Sequence, residues 1–200
     1  MRGLVLRPCG LAVLALLGAG CPKHTPEAES PVAAAGAPAG TPTAVELNRS
    51  TTPEGLTRVE IDLDGDQKPE IINFTKARSG ASDLVVRKDV DLNRDGRIDV
   101  RSVFDEAGLR VEEHMDTDFD GRADWVDHYL GGKRSFSEVD TDFDGTFDLF
   151  KYFEGGVVRR KERDTNRDGR IDFWEYLDEG GKVVKTGRDV DGDGKMDVRQ

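Results

Sequence analysis

Between residues 54 and 200 the apolar residues come in short clusters, each bracketed by two kinds of polar punctuation. One bracket is an acidic stretch built on Asp-x-Asp or Asp-x-Asn. The other is a turn marked by glycine: Ala107-Gly108, Gly131-Gly132, Gly155-Gly156 and Gly180-Gly181. Counted from the first aspartate of each acidic stretch, the tenth residue is always apolar: Ile71, Val100, Trp125, Leu149, Phe173 and Val198. The thirteenth and fourteenth are mostly aromatic or aliphatic, as in Val103-Phe104, His128-Tyr129, Tyr152-Phe153 and Tyr176-Leu177. A helix face would also place apolar residues at 10, 13 and 14. But only five or six residues separate the acidic stretch from the glycine turn. A helix that short is marginal in water, and a Gly-Gly step would end it. The β-branched and aromatic composition suits a pleated surface. The pattern therefore predicts a strand, a glycine turn and a second strand, with the acidic stretch turning the chain at the other end of the hairpin. The expected fold is mainly β. It is a meander or solenoid-like sheet of repeated antiparallel hairpins over residues 54–200, with acidic turns along one edge and glycine turns along the other.

The acidic stretches recur at a fixed interval. Five start at Asp91, Asp116, Asp140, Asp164 and Asp189, spaced 25, 24, 24 and 25 residues apart. Such a period marks a repeat architecture. The stretch from Asp164 to Glu175 has side-chain oxygens at positions 1, 3, 5, 9 and 12 (Asp164, Asn166, Asp168, Asp172 and Glu175), with Gly169 at position 6 and Ile171 at position 8. Its counterparts are Asp91, Asn93, Asp95 and Asp99; Asp116, Asp118, Asp120, Asp124 and Asp127; Asp140, Asp142, Asp144 and Asp148; and Asp189, Asp191, Asp193 and Asp197. Asp62, Asp64, Asp66 and Glu70 read as a degenerate first copy, with Gln67 where the others have glycine. A hard cation such as Ca²⁺ takes six to eight oxygens at about 2.3–2.6 Å, and a short loop wraps it by turning sharply at the sixth residue. Glycine tolerates the positive φ of that turn. Asp-Gly steps also make good turns on their own, but a turn does not need aspartate at positions 1, 5 and 9 in five copies. The reading is therefore up to six Ca²⁺ ions. Acids at position 12 mark the loops at 116 and 164 as the tightest, and the loop holding Asp66 as the least important.

Residues 62–200 resemble the Asp-x-Asp-x-Asp-Gly calcium repeats of EF-hand-like and thrombospondin type 3 proteins, and still more the hairpin-type repeats of secreted bacterial lipoproteins. By that resemblance, positions 1, 3, 5 and 9 are side-chain ligands and position 7 lends its carbonyl. The sequence departs from EF-hands at position 12, where only Asp127 and Glu175 are acids; the others are Asn73, Ser102, Lys151 and Gln200. It departs from thrombospondin repeats in having no disulfide. Weak extracellular-type affinity, about 10⁻⁴–10⁻³ M, is expected.

The chain opens with Arg2, Arg7 and an apolar run from Leu11 to Leu17. That run has the length of a signal-peptide core and is too short to span a bilayer. Leu17-Gly18-Ala19-Gly20-Cys21 resembles a bacterial lipobox, which implies a signal peptide over residues 1–20 and lipidation of Cys21. Gly18 departs from the leucine usual in that motif. Pro22 after the cysteine implies, by the same resemblance, release from the inner membrane to the outer membrane or cell surface. The only other cysteine is Cys9, so no disulfide can restrain the repeats. Residues 21–53 hold six of the eight prolines among alanine, glycine and threonine. This composition predicts a disordered, extended tether.

Charge sharpens the picture. Without residues 1–20 the chain has 27 basic and 40 acidic residues, a net −13. The six loops hold 24 of those acids; with these carboxylates set aside, the remaining charged residues sum to +11. Six Ca²⁺ ions would bring the whole to −1. A protein this acidic makes a poor nucleic-acid binder. His114 and His128 occupy non-equivalent repeat positions and read as incidental strand residues, while Trp125 and Trp174 read as hairpin core. No nucleophile elbow or phosphate loop is present. The expected function is an exported, lipid-anchored calcium-binding module without catalysis, its partners being the membrane and an extracellular protein or glycan. A calcium-dependent adhesin or carbohydrate-binding module is the alternative, with a hydrolase behind both.

Overall fold

The computed structural model describes residues 43–199. The segment read as a signal peptide, Cys21 and the residues read as tether up to 42 lie outside the described residues. The rest is one thirteen-stranded antiparallel meander in which spatial order follows sequence order. Its strands are β1 (Val45–Thr51), β2 (Thr57–Asp62), β3 (Ile71–Lys76), β4 (Leu84–Val90), β5 (Val100–Phe104), β6 (Arg110–Met115), β7 (Trp125–Leu130), β8 (Lys133–Val139), β9 (Leu149–Glu154), β10 (Val157–Arg163), β11 (Phe173–Leu177), β12 (Val183–Arg188) and β13 (Val198–Arg199). The expected hairpins, glycine turns and acidic turns are all present, and no helix occurs among the described residues. The sheet starts earlier than expected. β1 lies inside the segment read as tether, because Val45–Thr51 carries no proline or glycine and pairs with β2 from Thr51↔Thr57 to Val45↔Asp62.

Among the described residues each strand touches only the strands before and after it. Among the described residues no second layer packs over either face, so they form a single-layer sheet, whereas most domains bury a face between two layers. Register shows how one layer manages. Opposed residues share a face. One row, beside the acidic turns, runs Ile61, Ile71, Val90, Val100, Met115, Trp125, Val139, Leu149, Arg163 and Phe173. Ile61 to Leu149 form an unbroken apolar ladder across eight strands. The next row on that face is polar, from Lys88 and Ser102 through Glu113, Asp127 and Ser137 to Lys151 and Lys161.

The opposite face mixes aromatic and basic residues. Arg87 lies over the Phe74 ring at 3.6 Å, Arg160 over Tyr152 at 3.9 Å and Lys185 over Tyr176 at 4.7 Å. Long basic side chains spread their stems over apolar surface while keeping the charge wet, and a cation over a ring adds about 0.5–1 kcal/mol at exposed sites. Basic side chains on the strands thus substitute for the missing second layer. One further device recurs. Register slips by one residue at the same place in five glycine hairpins, leaving Val86, Val111, Ser135, Arg159 and Val184 unopposed near the turn on the second strand; in the first hairpin the slip falls on the first strand, at Leu47. Each slip is a bulge, which increases local twist and bends its strand.

Candidate metal centres

Each acidic turn is built by its own carboxylates. The position 1 aspartate accepts the N–H of position 4 on one oxygen and that of position 6 on the other. In the third loop, Asp116 accepts from Phe119 at 2.7 Å and Gly121 at 2.7 Å. Asp140, Asp164 and Asp189 repeat the arrangement. The position 9 carboxylate reaches back to the N–H of position 2, as Asp99 does to Leu92 at 2.6 Å and Asp124 to Thr117 at 2.6 Å. Thr117, Thr141 and Thr165 at position 2 add a hydroxyl donor to the same group. Side-chain acceptors thus satisfy N–H groups that no ladder can reach, which is why aspartate recurs at fixed offsets.

Two residues per loop take the left-handed conformation. The glycine at position 6 was legible in the sequence; the residue at position 4 was not. Arg94, Phe119, Phe143 and Arg167 all sit there, with φ between 62° and 66°. In the first loop the pair is exchanged: Gly65 occupies position 4, and Gln67 adopts φ 70° at position 6.

Four loops bring carboxylate oxygens within 4.8 Å of one another: Asp62, Asp64, Asp66 and Glu70; Asp116, Asp118 and Asp124; Asp140, Asp142 and Asp148; and Asp189, Asp191 and Asp197. The first loop, read as degenerate, has the fullest set. Glu70 has a longer arm than the aspartates at position 9 elsewhere, and Asp66 is the one position 5 acid within a converging group. In the loops at 91 and 164, Asn93 and Asn166 take the third position, leaving Asp91, Asp99, Asp164 and Asp172 as the acids at positions 1 and 9. The position 5 residues Asp95, Asp120, Asp144, Asp168 and Asp193 each turn one oxygen to the N–H of position 7 and stand outside the converging groups.

The two position 12 ligands do not reach their loops. Asp127 is fully buried in β7, where it accepts from Trp125 Nε1 at 2.7 Å and Ser137 Oγ at 2.5 Å and pairs with Arg134 at 2.8 Å. Glu175 lies in β11, 3.8 Å from Lys161 and 4.0 Å from Arg163. A helix would carry position 12 about 4.5 Å beyond position 9; a strand carries it about 10 Å. The expectation that loops 116 and 164 gain from these acids is therefore corrected.

Electrostatics divide the loop acids. Backbone donation from Gly65, joined by Gln67 and Asp64, holds Asp62 below the usual carboxylate range. Burial pulls Asp140 and Asp189 upward, but the N–H groups of Gly145 and Gly194 with their neighbours outweigh it, and both lie low. The position 3 acids Asp118 and Asp142 are pushed up, first by burial and then by nearby carboxylates, including Asp120 and Asp144 respectively. Asp99 is 2% exposed, and its Oδ1 has no hydrogen-bond partner. An orphaned buried carboxylate oxygen is costly unless a cation or proton meets it.

The loops form a connected row. The N–H of each later position 1 donates to the position 9 carbonyl of the loop before it: Asp91 to Glu70 at 2.9 Å, Asp116 to Asp99 at 2.7 Å, Asp140 to Asp124 at 2.8 Å, Asp164 to Asp148 at 3.0 Å and Asp189 to Asp172 at 3.0 Å. Neighbouring centres therefore lie about two strand spacings, or roughly 10 Å, apart. Arginines also cross between loops. Arg94 pairs with Asp64 at 2.9 Å, and Arg167 pairs with Asp142.

The donor set is all oxygen, which suits Mg²⁺, Ca²⁺ or Mn²⁺ rather than softer ions. Fold and site together define a single-layer β-meander with a row of acidic turns. No family model and no curated protein matches the chain. Among solved structures, accessory secretory protein 1,2 and 3 in Streptococcus pneumoniae aligns over 57% of this chain at 17% identity and TM-score 0.28. S. aureus TarM, as a mutant in complex with Fondaparinux, alpha-GlcNAc-glycerol and UDP, aligns over 68% at 12% identity and TM-score 0.26. The chain spans 19% and 20% of the lengths of those two chains. Likeness at this level carries no argument about fold or function.

Proposed function

We propose that this protein is a calcium-stabilised repeat module, exported and held at a membrane by lipidated Cys21, and that it acts by presenting its sheet to a partner rather than by catalysis. The observation that carries the calcium reading is the convergence of three or four carboxylates in each of four loops. The orphaned Asp99 oxygen supports a cation in a fifth. Calcium fits better than magnesium because a flexible loop of mixed carboxylate, amide and carbonyl oxygens suits six to eight ligands and not a strict octahedron. The sheet supports the presenting role: both faces are uncovered by other strands. His114 and His128 each lie 3.0 Å from a strand glutamate, Glu112 and Glu138.

Calorimetric titration of the protein with Ca²⁺ tests this reading. Four to six ions should bind, with dissociation constants of about 10⁻⁴–10⁻³ M. Absence of both heat and any change in thermal unfolding would overturn it. The membrane part is tested separately. Cys21→Ser should abolish fatty-acid incorporation, whereas equal labelling of the wild type and variant would reject the lipobox.

A further inference from the structure

We infer that the aromatic face carries a binding site for an acidic sugar, in a cavity of about 380 Å³ lined by Ser135, Tyr152, Phe153, Glu154, Arg159, Arg160 and Tyr176. None of these residues belongs to an acidic loop, so the site stands apart from the calcium reading. Register sets its geometry. Tyr152, Arg160 and Tyr176 are directly opposed on β9, β10 and β11 and share a face, which puts the two tyrosines about 10 Å apart. Arg160 leans back over Tyr152 at 3.9 Å, and Lys185 leans over Tyr176 from the far side at 4.7 Å. The space between Arg160 and Tyr176 stays open. Arg159 is the bulge residue of this hairpin, and a bulge brings a second side chain to the face where regular pleating would give one. The other hairpins place Val86, Val111, Ser135 and Val184 at the equivalent point, so a pair of adjacent guanidinium groups occurs here alone among the described bulges.

The chemistry selects the ligand. The Nε groups of Arg159 and Arg160 are buried and have no hydrogen-bond partner. Arg160 Nε lies 3.3 Å from Glu162 Oε1 but outside hydrogen-bond alignment, because Glu162 accepts from the Tyr152 hydroxyl at 2.9 Å through its other oxygen. The ion-pair partners of Arg159, Glu154 and Glu179, are themselves largely exposed, at 79% and 92%, so an incoming anion competes with weak surface pairs. A pair of adjacent guanidinium groups favours a carboxylate or similar anion, which guanidinium binds in fixed fork geometry. The remaining lining is aromatic surface with hydroxyls at its edge, together with Glu154, which an acid bound to Arg159 would displace. A sugar ring offers an apolar C–H face to stack on Tyr176, hydroxyls for Ser135 and the tyrosine, and, in a uronic acid, the carboxylate. An acidic peptide offers the charge without the ring, and a neutral glycan offers the ring without the charge.

The test is calorimetric titration of the full-length protein at 1 mM Ca²⁺ with a hexasaccharide of hyaluronan, which alternates glucuronic acid and N-acetylglucosamine. The matched neutral probe is the N-acetylglucosamine hexamer, and the charge-only probe is hexaglutamate. The uronic-acid oligomer should bind at least tenfold tighter than either. Arg160→Gln and Tyr176→Ala should each weaken it about tenfold, while Tyr176→Phe keeps the stacking ring and most of the affinity. Arg87→Gln removes a cation from the equivalent point of another hairpin and should leave binding unchanged. Equal affinity for the neutral hexamer or for hexaglutamate overturns the inference. So does binding that survives Arg160→Gln, which would place the sugar on the calcium loops. Circular dichroism of each variant separates lost binding from lost fold, and an unfolded Tyr176→Ala leaves Arg160→Gln to decide.

Discussion

Asp127 shows how much one residue's role depends on the element carrying it. Position counting alone makes it a calcium ligand, because after an EF-hand loop the chain continues as a helix. Here the chain continues as a strand, and the carboxylate is carried into the sheet, fully buried among Trp125, Ser137 and Arg134. Removing one partner of a buried ion pair costs about 3–5 kcal/mol. Arg134 is 39% exposed, so Asp127→Ala should fall at the lower end, about 3 kcal/mol by chemical denaturation. Calcium stoichiometry should not change, and loss of one bound ion would restore Asp127 as a ligand. The loop acids give a second prediction, for the metal-free protein. Asp118 and Asp142 have raised pKa values, so their charged forms oppose folding at neutral pH, and that cost is relieved as pH falls through their folded values. Asp62, Asp140 and Asp189 have lowered values, so their contribution is present above the ordinary aspartate pKa of about 3.9 and is lost as pH falls below it. In chelator, the melting temperature should therefore rise as pH falls toward the ordinary aspartate pKa and drop once pH passes below it. A monotonic fall over the whole range would contradict this assignment.

At the scale of elements, the strands and both kinds of turn were legible because hydrophobic position, glycine and aspartate each recur with the same period. The bulges were not legible. They sit at Val86, Val111, Ser135, Arg159 and Val184, a spacing that follows the repeat, but residues from valine to arginine fill them. A bulge is a property of register between two strands, and no residue type marks it. The start of β1 was hidden for a related reason: composition shifts gradually after the prolines, while pairing with β2 decides where the strand begins. The single layer has an energetic consequence for each hairpin. Trp174 is 8% exposed on the aromatic face of β11, yet its cover comes only from its own strand and the neighbours β10 and β12. Trp174→Ala should cost about 3–5 kcal/mol locally. In a quasi-one-dimensional array that loss stays near its source. Hydrogen exchange should accelerate in β10 to β12 and remain at wild-type rates in β2 to β6. Uniform acceleration across the sheet would show that the meander unfolds as one cooperative unit.

For the whole molecule, the question is what holds a sheet with no second layer. Apolar burial is thin: Val59, Phe74, Leu84, Val126, Val139, Leu149 and Trp174 are the buried apolar residues among those described. Buried acids at the loops match them in number: Asp62, Glu70, Asp91, Asp99, Asp116, Asp124 and Asp140 are joined by carboxylates from position 3 and, in the first loop, position 5. Without metal, carboxylate oxygens within 4.8 Å of one another repel, and the loops are also the connections that set register between successive hairpins. A cation bound to the folded loop but not to the unfolded chain adds its binding free energy to folding. At 100 times the dissociation constant that is about 2.7 kcal/mol per independent site. Four such sites would contribute about 11 kcal/mol, comparable to the roughly 5–15 kcal/mol that holds a whole domain. The position 9 to position 1 hydrogen bonds tie each centre to the next, so the gain is passed along the row. Chelation should therefore lower the melting temperature steeply and open residues 57–197 to proteolysis, and Ca²⁺ well above its dissociation constant should reverse both. Mg²⁺ at the same concentration should restore little, since it demands a tight octahedral shell. Identical melting curves with and without Ca²⁺ would leave the acidic loops as turns alone and would require another source of stability for the single layer.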